Sequence, residues 1–273
     1  MKRTEGPTVS IVIPVYNEAL DLAACLDTIA EQTSAPDEVI VVDNNSTDES
    51  MDIARQYSFV TIVPAKKQGI VHARNAGFDA ASSKIIGRID ADSRLKPGWV
   101  ESVKRYYRSE EHNNRAVSGR GYYYNLRWPV FAGMLQHDIA FGYNKIIMGG
   151  YILWGSNMAF PRRLWQEVKD QTCRRTDIHE DIDLAIHLQE CGYTVDYRKS
   201  LIVGVRMRRI HSERTKLWPN LMLWPKTFQV HGNKKWPMAY IGAIFLYISA
   251  MPLRWFEHFT MATTGRPRPR RNV

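Results

Sequence analysis

The sequence has few cysteines, and it lacks both the common nucleotide-binding glycine motifs and a secretory signal. Its three cysteines, Cys25, Cys173 and Cys191, are far apart and odd in number, which argues against a disulfide framework and a zinc ribbon. Neither G-x-G-x-x-G nor G-x-x-x-x-G-K-S/T occurs where a strand meets a helix, which excludes a dehydrogenase and a P-loop enzyme. Residues 1–7 are polar and contain no apolar signal core. We therefore expect a protein of a reducing compartment that stays where it is made.

The charge balance is basic. The chain of 273 residues has 37 Lys and Arg against 28 Asp and Glu, a net charge of +9. Such a surface attracts nucleotides, nucleic acid or an anionic membrane leaflet, and charge alone does not choose among them. The basic residues cluster in residues 206–216 and in the C-terminal tail rather than in a recognition motif, so nucleic acid is not the expected partner.

The first hundred residues alternate between strand and helix patterns. Val9–Pro14 and Glu38–Asp43 are continuous β-branched runs, typical of buried parallel strands. Between them, Leu22, Leu26 and Ile29 have the spacing of one helix face. This order predicts a doubly wound α/β layer with its ligands at the carboxyl ends of the strands.

Two aspartates follow a third apolar run. The strand predicted over Ile85–Ile89 leads directly into Asp90-Ala91-Asp92. Two carboxylates this close repel each other unless a cation lies beside them, and hard oxygen ligands on one turn suit Mg²⁺ or Mn²⁺. The alternative is a turn in which the aspartates cap backbone amides.

The βα alternation stops near Glu101, where aromatic residues become frequent, and we expect this half to meet a different ligand. A helix is predicted over Asp181–Cys191, ended by Gly192, with a strand near Thr194–Tyr197. We divide the chain into residues 1–100, residues 101–215 and a C-terminal segment (216–273).

The C-terminal segment contains an uncharged stretch, residues 236–253, which as a helix would be roughly 27 Å long. Lys234, Lys235 and Arg254 flank it. It predicts an interfacial, re-entrant or single-span anchor that holds the protein at the cytoplasmic face of a membrane, and a buried core helix is the alternative. Beside such an anchor, the arginine-rich tail would bind an anionic membrane surface.

Four segments together resemble one known family. They are VSIVIPVYNEALDLAACLDTIAEQTSAPDEVIVVDNNSTDES (9–50), KKQGIVHARNAGFDAASSKIIGRIDADSRLKPGWV (66–100), GSNMAFPRRLW (155–165) and HEDIDLAIHLQECGY (179–193). In order and spacing they are similar to the inverting family 2 glycosyltransferases. The resemblance covers most of residues 9–197. It implies a GT-A fold, a doubly wound α/β domain with a mixed central sheet, and a nucleoside-diphosphate sugar as donor. Residues 1–100 would then be the nucleotide-sugar half, and residues 101–215 the acceptor and catalytic half.

The resemblance assigns the donor pocket residue by residue. It places Pro14, Tyr16 and Glu18 in the first loop of the nucleotide pocket. Asp43 becomes the hydrogen-bond acceptor for the base, and Arg74 a contact near the diphosphate or the sugar. The alternatives are a helix cap for Asp43 and a surface salt bridge for Arg74.

The metal site follows from the same resemblance. Asp90 is expected to contact ribose or sugar hydroxyls, and Asp92 to coordinate the Mn²⁺ or Mg²⁺ that bridges the diphosphate. His211 lies where family members carry a histidine or a basic loop over the diphosphate, so it is a candidate metal ligand. Its basic neighbours suit a diphosphate lid or lipid headgroups equally well.

The resemblance also assigns His179-Glu180-Asp181 to the catalytic corner of the site. Inverting transfer to a hydroxyl needs a base, and the family points to Asp181, with Glu180 as the second candidate. Acidic residues are also common in the first turn of a helix for electrostatic reasons alone. Trp154 and Asn157 are predicted acceptor contacts, with a core position as the alternative for Trp154.

Two departures from the family pattern refine the expectation. The Gln-x-x-Arg-Trp motif of processive members is absent, which favours addition of a single sugar. The second loop reads Asp43-Asn44-Asn45-Ser46 instead of Asp-Asp-Gly-Ser, which leaves the identity of the nucleotide open.

The sequence thus predicts a metal-dependent inverting glycosyltransferase that moves one sugar, from a UDP-sugar, to a hydroxyl of a membrane-associated acceptor such as a lipid-linked saccharide. One alternative is a polyprenyl-phosphate glycosyltransferase, whose acceptor is already anionic and needs no base. The other is a nucleotide-sugar-binding scaffold without turnover.

Overall fold

The computed structural model describes residues 6–125, 130–207 and 214–248. The chain divides into two compact units, Met1–Arg206 and Met207–Val273. The strands of the first unit are β1 (Val9–Val15), β2 (Glu38–Asp43), β3 (Val60–Pro64), β4 (Ile85–Arg88), β5 (Arg94–Leu95), β6 (Arg115–Tyr123), β7 (Met158–Pro161) and β8 (Thr194–Val205). Its helices are α1 (Leu22–Ala30), α2 (Ser50–Arg55), α3 (Ile70–Ala80), α4 (Trp99–Tyr106), α5 (Val130–Met148), α6 (Arg162–Val168) and α7 (Glu180–Glu190).

All eight strands form one mixed sheet in the order β3-β2-β1-β4-β7-β6-β8-β5. β1 to β4 are parallel to one another, whereas β7 runs antiparallel to both β4 and β6. β6 and β8 are parallel, and β5 pairs antiparallel with the end of β8. The predicted α/β class and mixed central sheet are confirmed.

Helices cover both faces of this sheet. Successive residues of β1 point to opposite faces, so each face has its own apolar cluster. Ile11 and Ile13 belong to the apolar cluster that includes residues of α1 and α4, among them the buried Trp99. Val12 belongs to the opposite cluster, in which α3, α6 and α7 pack and Trp165 is fully buried. A strand buried on both faces is apolar throughout, which is why β1 and β2 could be recognised from sequence.

The predicted boundaries differ most at the end of the sheet. β2 has the predicted bounds and β1 extends one residue further, to Val15. α7 begins at Glu180, one residue early, and ends at Glu190. β8 is far longer than the predicted Thr194–Tyr197, since it continues to Val205 by pairing with β6 and then β5. Residues 196–200 in the middle of β8 are mostly charged or polar, so the sequence there does not show the apolar pattern of a strand.

The second unit begins with α8 (Arg214–Val230), which contains Pro219 and Pro225. Residues 236–248 are also helical, whereas 249–253 of the predicted anchor lie outside the described residues. Ala239 and Ala243 of this helix are buried, and Ile241, Phe245 and Ile248 are exposed. Within the described residues, no helix has the length and apolar character that a membrane span needs.

Candidate active site

The loops that follow β1 and β2 are bound to each other. Asn17 adopts a left-handed backbone conformation, and its side-chain oxygen accepts from the Thr47 N–H at 2.8 Å. The Glu18 N–H donates to the Ser50 hydroxyl, also at 2.8 Å. Between the buried Pro14 and this junction, Tyr16 remains 51% exposed. Of the three residues predicted for the first loop, Tyr16 therefore offers an accessible ring at the carboxyl edge of the sheet.

Asp43 and Asn44 shape the second loop. An Asp43 carboxylate oxygen accepts from the Ser46 N–H at 2.8 Å, so this side chain closes its own turn while staying partly exposed. Asn44 is buried, donates to the Lys67 carbonyl at 2.7 Å and accepts from the Gly69 N–H at 2.8 Å. The asparagine that departs from the family pattern thus fixes the loop that leads into α3.

The turn after β4 presents the two predicted aspartates. The Ser93 N–H donates to the Asp90 carbonyl at 2.9 Å, and the Ser93 hydroxyl accepts from the Asp90 N–H at 3.2 Å. Ser93 closes this turn, so Asp90 does not serve as its cap. The Asp90 side chain is 35% exposed and Asp92 is partly exposed. Two accessible carboxylates on one turn are hard oxygen donors and fit Mn²⁺ or Mg²⁺.

A buried arginine joins this turn to the start of α7. Arg88 is 2% exposed, and its Nη2 lies 3.2 Å from Oδ1 of Asp90. Its Nη1 lies 2.8 Å from Oε1 of Glu180. A Cβ added to Gly155 would lie 2.6 Å from this guanidinium, so a glycine is needed beside it. Arg88 therefore links the aspartate turn to the carboxylate that precedes Asp181.

A second set of contacts closes the circle. Oδ2 of Asp181 accepts from the Gly155 N–H at 3.0 Å, and the Ser156 hydroxyl donates to Oδ2 of Asp90. The two predicted ends of the site, the aspartate turn and the catalytic corner, are thus held by direct contacts. We call this group the carboxylate ring; its members are Arg88, Asp90, Gly155, Ser156, Glu180 and Asp181.

The two neighbouring acids of the ring have different electrostatic environments. Burial opposes ionisation of Glu180, but the guanidinium groups of Arg88 and Arg74 outweigh it and hold the pKa of Glu180 below its usual range. Burial and the adjacent Glu180 carboxylate raise the pKa of Asp181. Glu180 is thus an ionised ion-pair partner, and Asp181 is the better proton acceptor.

Arg74 lies behind the ring and does not reach a ligand surface. It is fully buried, and its Nη1 donates to the backbone carbonyl of Glu180. Its Nε donates to the side chain of Asn75 at 2.9 Å, and burial lowers the pKa of Arg74 to about 10. Neither the predicted contact with diphosphate or sugar nor the alternative surface salt bridge fits this position, because the side chain supports α7 from inside.

Asn157 is also a structural residue. Its side chain is fully buried, accepts from the Trp99 indole at 2.9 Å and donates to the carbonyls of Arg120 and Leu201. With these bonds satisfied inside the protein, its predicted contact with the acceptor does not fit. Trp154 is partly buried, so an acceptor contact remains a prediction for its ring. His211 lies outside the described residues.

Trp154 rests on a buried histidine of α5. The ring centroids of Trp154 and His137 are 4.4 Å apart, and Nε2 of His137 has no hydrogen-bond partner among the described residues. Gly121 makes room for the pair, since an added Cβ would lie 2.4 Å from the Trp154 ring. Burial lowers the pKa of His137 to about 4.

The His137 environment predicts a pH-dependent stability. Between about pH 6.5 and pH 4 the unfolded chain binds a proton that the folded chain does not, so stability falls as pH falls through this window. From pH 8 to pH 5 the loss from this group is about 2 kcal/mol. Denaturant unfolding at both pH values should show a smaller change for His137→Asn than for the wild type. An unchanged pH dependence in the variant would contradict this.

Two further arginines lie beside the aspartate turn, and sequence analysis missed them. Asp21 is buried and accepts from Arg94 at 3.2 Å and from Arg206 at 2.6 Å. The Tyr124 hydroxyl lies 3.4 Å from this carboxylate and donates to the Asp92 carbonyl at 3.0 Å. Two guanidinium groups against one carboxylate leave positive charge near the aspartates, which suits an anionic ligand. No local signal connects Asp21 with Arg206.

Comparison with known proteins identifies the family of the chain. The family model described as glycosyl transferase family 2 matches residues 10–168, more than half of the chain. Glycosyltransferase AglE of Haloferax volcanii is 38% identical over 102 residues, and the putative glycosyltransferase EpsH of Bacillus subtilis is 33% identical over 105. These matches cover 35% and 37% of this chain, but 34% and 30% of the relatives, about a third of their length.

A solved structure shares the fold. The mannosyltransferase PcManGT from Pyrobaculum calidifontis, in complex with GDP-Man and Mn²⁺, superposes with a TM-score of 0.65 at 21% sequence identity. The alignment covers 97% of this chain and 77% of that protein. With the mixed sheet described above, this likeness supports the predicted GT-A architecture of the first unit. The family match establishes the relationship: the chain belongs to glycosyl transferase family 2.

Proposed function

We propose that this protein is a metal-dependent inverting glycosyltransferase that transfers one sugar from a nucleoside-diphosphate sugar to a hydroxyl of a membrane-associated acceptor. The carboxylate ring is the observation that carries this proposal. It holds the aspartate turn, suited to the donor's metal-bound diphosphate, and the candidate base Asp181 in one connected structure. Transfer requires a fixed geometry between donor and base, and such a ring provides it.

On the donor side, Tyr16 and Asp43 are assigned to the nucleoside, which Asp43 would bind through its partly exposed carboxylate. Asp92, with Asp90 beside it, would hold the metal. A bound Mn²⁺ or Mg²⁺ would offset the charge that develops on the leaving nucleoside diphosphate. Arg94 and Arg206 add fixed positive charge near the same turn. Arg74 is assigned a supporting role behind Glu180.

On the acceptor side, Asp181 would accept the hydroxyl proton. The acceptor oxygen attacks the anomeric carbon from the face opposite the phosphate, a new glycosidic bond forms, and the bond to phosphate breaks. The nucleoside diphosphate leaves with the bonding electrons, and the proton ends on Asp181. The raised pKa of Asp181 suits this role, because a weak carboxylate base gains proton affinity when burial and a like charge raise its pKa.

Nucleotide binding tests the donor side. We expect one of UDP, GDP or CDP to stabilise the protein in the presence of Mn²⁺, by about 3 kcal/mol at a hundredfold excess over Kd, or several degrees in Tm. UDP is the nucleotide favoured by the sequence, and GDP-Man is the ligand of the PcManGT complex. Asp92→Ala should abolish the stabilisation by nucleotide that depends on Mn²⁺. Asp52→Ala, which removes an exposed carboxylate on α2, should retain this stabilisation. A wild type that no nucleotide stabilises would contradict the donor assignment.

The membrane-associated acceptor rests on the second unit. Residues 214–248 contain no Asp or Glu in the sequence, and their cations are Arg214, Lys216, Lys226, Lys234 and Lys235. The exposed Ile241, Phe245 and Ile248 of helix 236–248 add an apolar stripe. Basic and apolar groups on one segment favour binding at an anionic membrane surface, and we propose the cytoplasmic face of a membrane as the site of action.

A further inference from the structure

Helix α5 has apolar residues on its exposed side as well as on its buried side. It packs on β6, and its buried side holds His137 and Asn144 beside the apolar Phe141 and Ile147. The large apolar side chains that it exposes are Val130, Phe131, Leu135, Ile139 and Ile146. A helix that covers a soluble domain normally presents polar and charged residues to solvent. A contiguous run of exposed apolar side chains on one helix is a candidate binding surface.

The exposed residues form one continuous stripe. At 3.6 residues per turn, Phe131, Leu135, Ile139 and Ile146 fall within an arc of about 80° on the helix. Phe131 is 73% exposed and Ile139 64% exposed, so these side chains extend well away from the domain. We call Phe131, Leu135, Ile139 and Ile146 the α5 stripe.

The charged side chains around the stripe have a net positive charge. Asp138 is the sole acidic residue in the sequence of α5, and it is bound by Arg120 at 2.5 Å and by Lys199 at 3.1 Å. This triad carries a net positive charge. Lys145 adds another cation on the exposed side of the helix. An apolar stripe with cationic margins is complementary to a bilayer that contains anionic lipids.

A second copy of the chain fits the stripe less well. The stripe extends over the sixteen residues from Phe131 to Ile146, about 24 Å, and at a width of about 10 Å it covers about 240 Å². Stable protein interfaces bury about 800 Å² on each partner. A membrane surface needs no such area, because a few inserted side chains act together with charge attraction.

We propose that the α5 stripe inserts into the surface of an anionic phospholipid bilayer. This inference rests on the proposed function, because membrane insertion of the stripe would serve transfer to a membrane-associated acceptor. The buried side of α5 contacts Trp154 through His137, and the neighbouring Gly155 holds Asp181. A bilayer on the other side of α5 would bring a membrane-held acceptor to the side of the site where Asp181 lies.

Vesicle binding of the full-length protein tests the proposal. We compare vesicles of phosphatidylcholine with vesicles of an equal mixture of phosphatidylcholine and phosphatidylglycerol. The wild type should bind the anionic vesicles, and Phe131→Glu should lower the partition coefficient by about tenfold or more, since it replaces an inserted ring with a charge. The matched control is Phe59→Glu, the same substitution at a 40% exposed phenylalanine before β3, which should bind like the wild type.

Leu135→Glu provides a second variant on the same stripe, and thermal unfolding checks that each variant folds. Wild-type binding that survives both stripe variants would overturn the proposal, as would a wild type that does not bind anionic vesicles. A dimer that Phe131→Glu dissociates, without vesicle binding, would overturn it in favour of a second copy. Nucleotide-induced stabilisation without lipid is measured in parallel, so a failed donor assignment is distinguishable from a failed membrane surface.

Discussion

Replacing Asp181 by asparagine is expected to lower kcat for transfer to a hydroxyl acceptor by about a hundredfold to ten-thousandfold, the usual contribution of a general base. Asparagine has nearly the same shape and keeps one oxygen, which can accept from one of the two backbone N–H groups bound by the Asp181 carboxylate, those of Gly155 at 3.0 Å and Ile182 at 2.8 Å. It has no proton affinity at neutral pH. The fold and the donor site should persist, so nucleotide-induced stabilisation should match that of the wild type. The measurement is steady-state transfer at saturating donor.

The control is Glu190→Gln, which removes a carboxylate from the exposed end of the same helix and should leave kcat unchanged. Retention of most activity by Asp181→Asn with a hydroxyl acceptor would remove Asp181 from the role of base. The same variant separates the acceptor classes. If the acceptor is a polyprenyl phosphate, its oxygen is already anionic, and transfer should survive the substitution substantially.

Sequence analysis located the edge of the sheet at which the candidate site lies, because strong local patterns mark it. β1 and β2 are apolar on both faces, and Asp90 follows the end of β4 after one residue. The same analysis did not distinguish buried from accessible polar residues. Arg74 and Asn157 lie inside the protein, where each satisfies backbone groups of distant segments. Burial of this kind depends on tertiary packing, and one sequence does not encode it in any local spacing.

The ring residues Arg88 and Ser156 were missed for a related reason. Arg88 ends a short apolar strand, and its partner Glu180 is 92 residues away in the sequence. The Asp21–Arg206 pair spans 185 residues. Such contacts become visible only when the strand order is known, since the pairing of β4 with β7 brings Arg88 beside Gly155, which precedes β7. The sequence thus indicated the candidate acidic residues of the site, but not the long-range contacts that connect them.

Breaking the buried Arg88–Glu180 ion pair of the carboxylate ring is expected to have a large effect on the free energy of unfolding. Arg88→Met should lower the free energy of unfolding by about 3–5 kcal/mol, because it leaves the Glu180 carboxylate buried without its closest counter-charge. Denaturant unfolding measures this as a lower midpoint at an unchanged slope. The matched control is Arg55→Met, which breaks an ion pair that is 64% exposed on the arginine side and should change stability by less than about 1 kcal/mol. Equal effects of the two substitutions would contradict the assigned role of Arg88.

The double variant Arg88→Met/Glu180→Met separates stability from positioning. It removes one buried charge of each sign, so much of the stability lost in Arg88→Met should return, since well-packed apolar residues often replace a buried ion pair without loss. Its activity should stay low, because Asp90 loses the guanidinium that holds it and Asp181 loses the neighbouring charge that raises its pKa. Recovery of both stability and activity would mean that the ion pair serves only the fold. Recovery of stability alone would mean that the ring is kept for the geometry it imposes between the donor turn and the base.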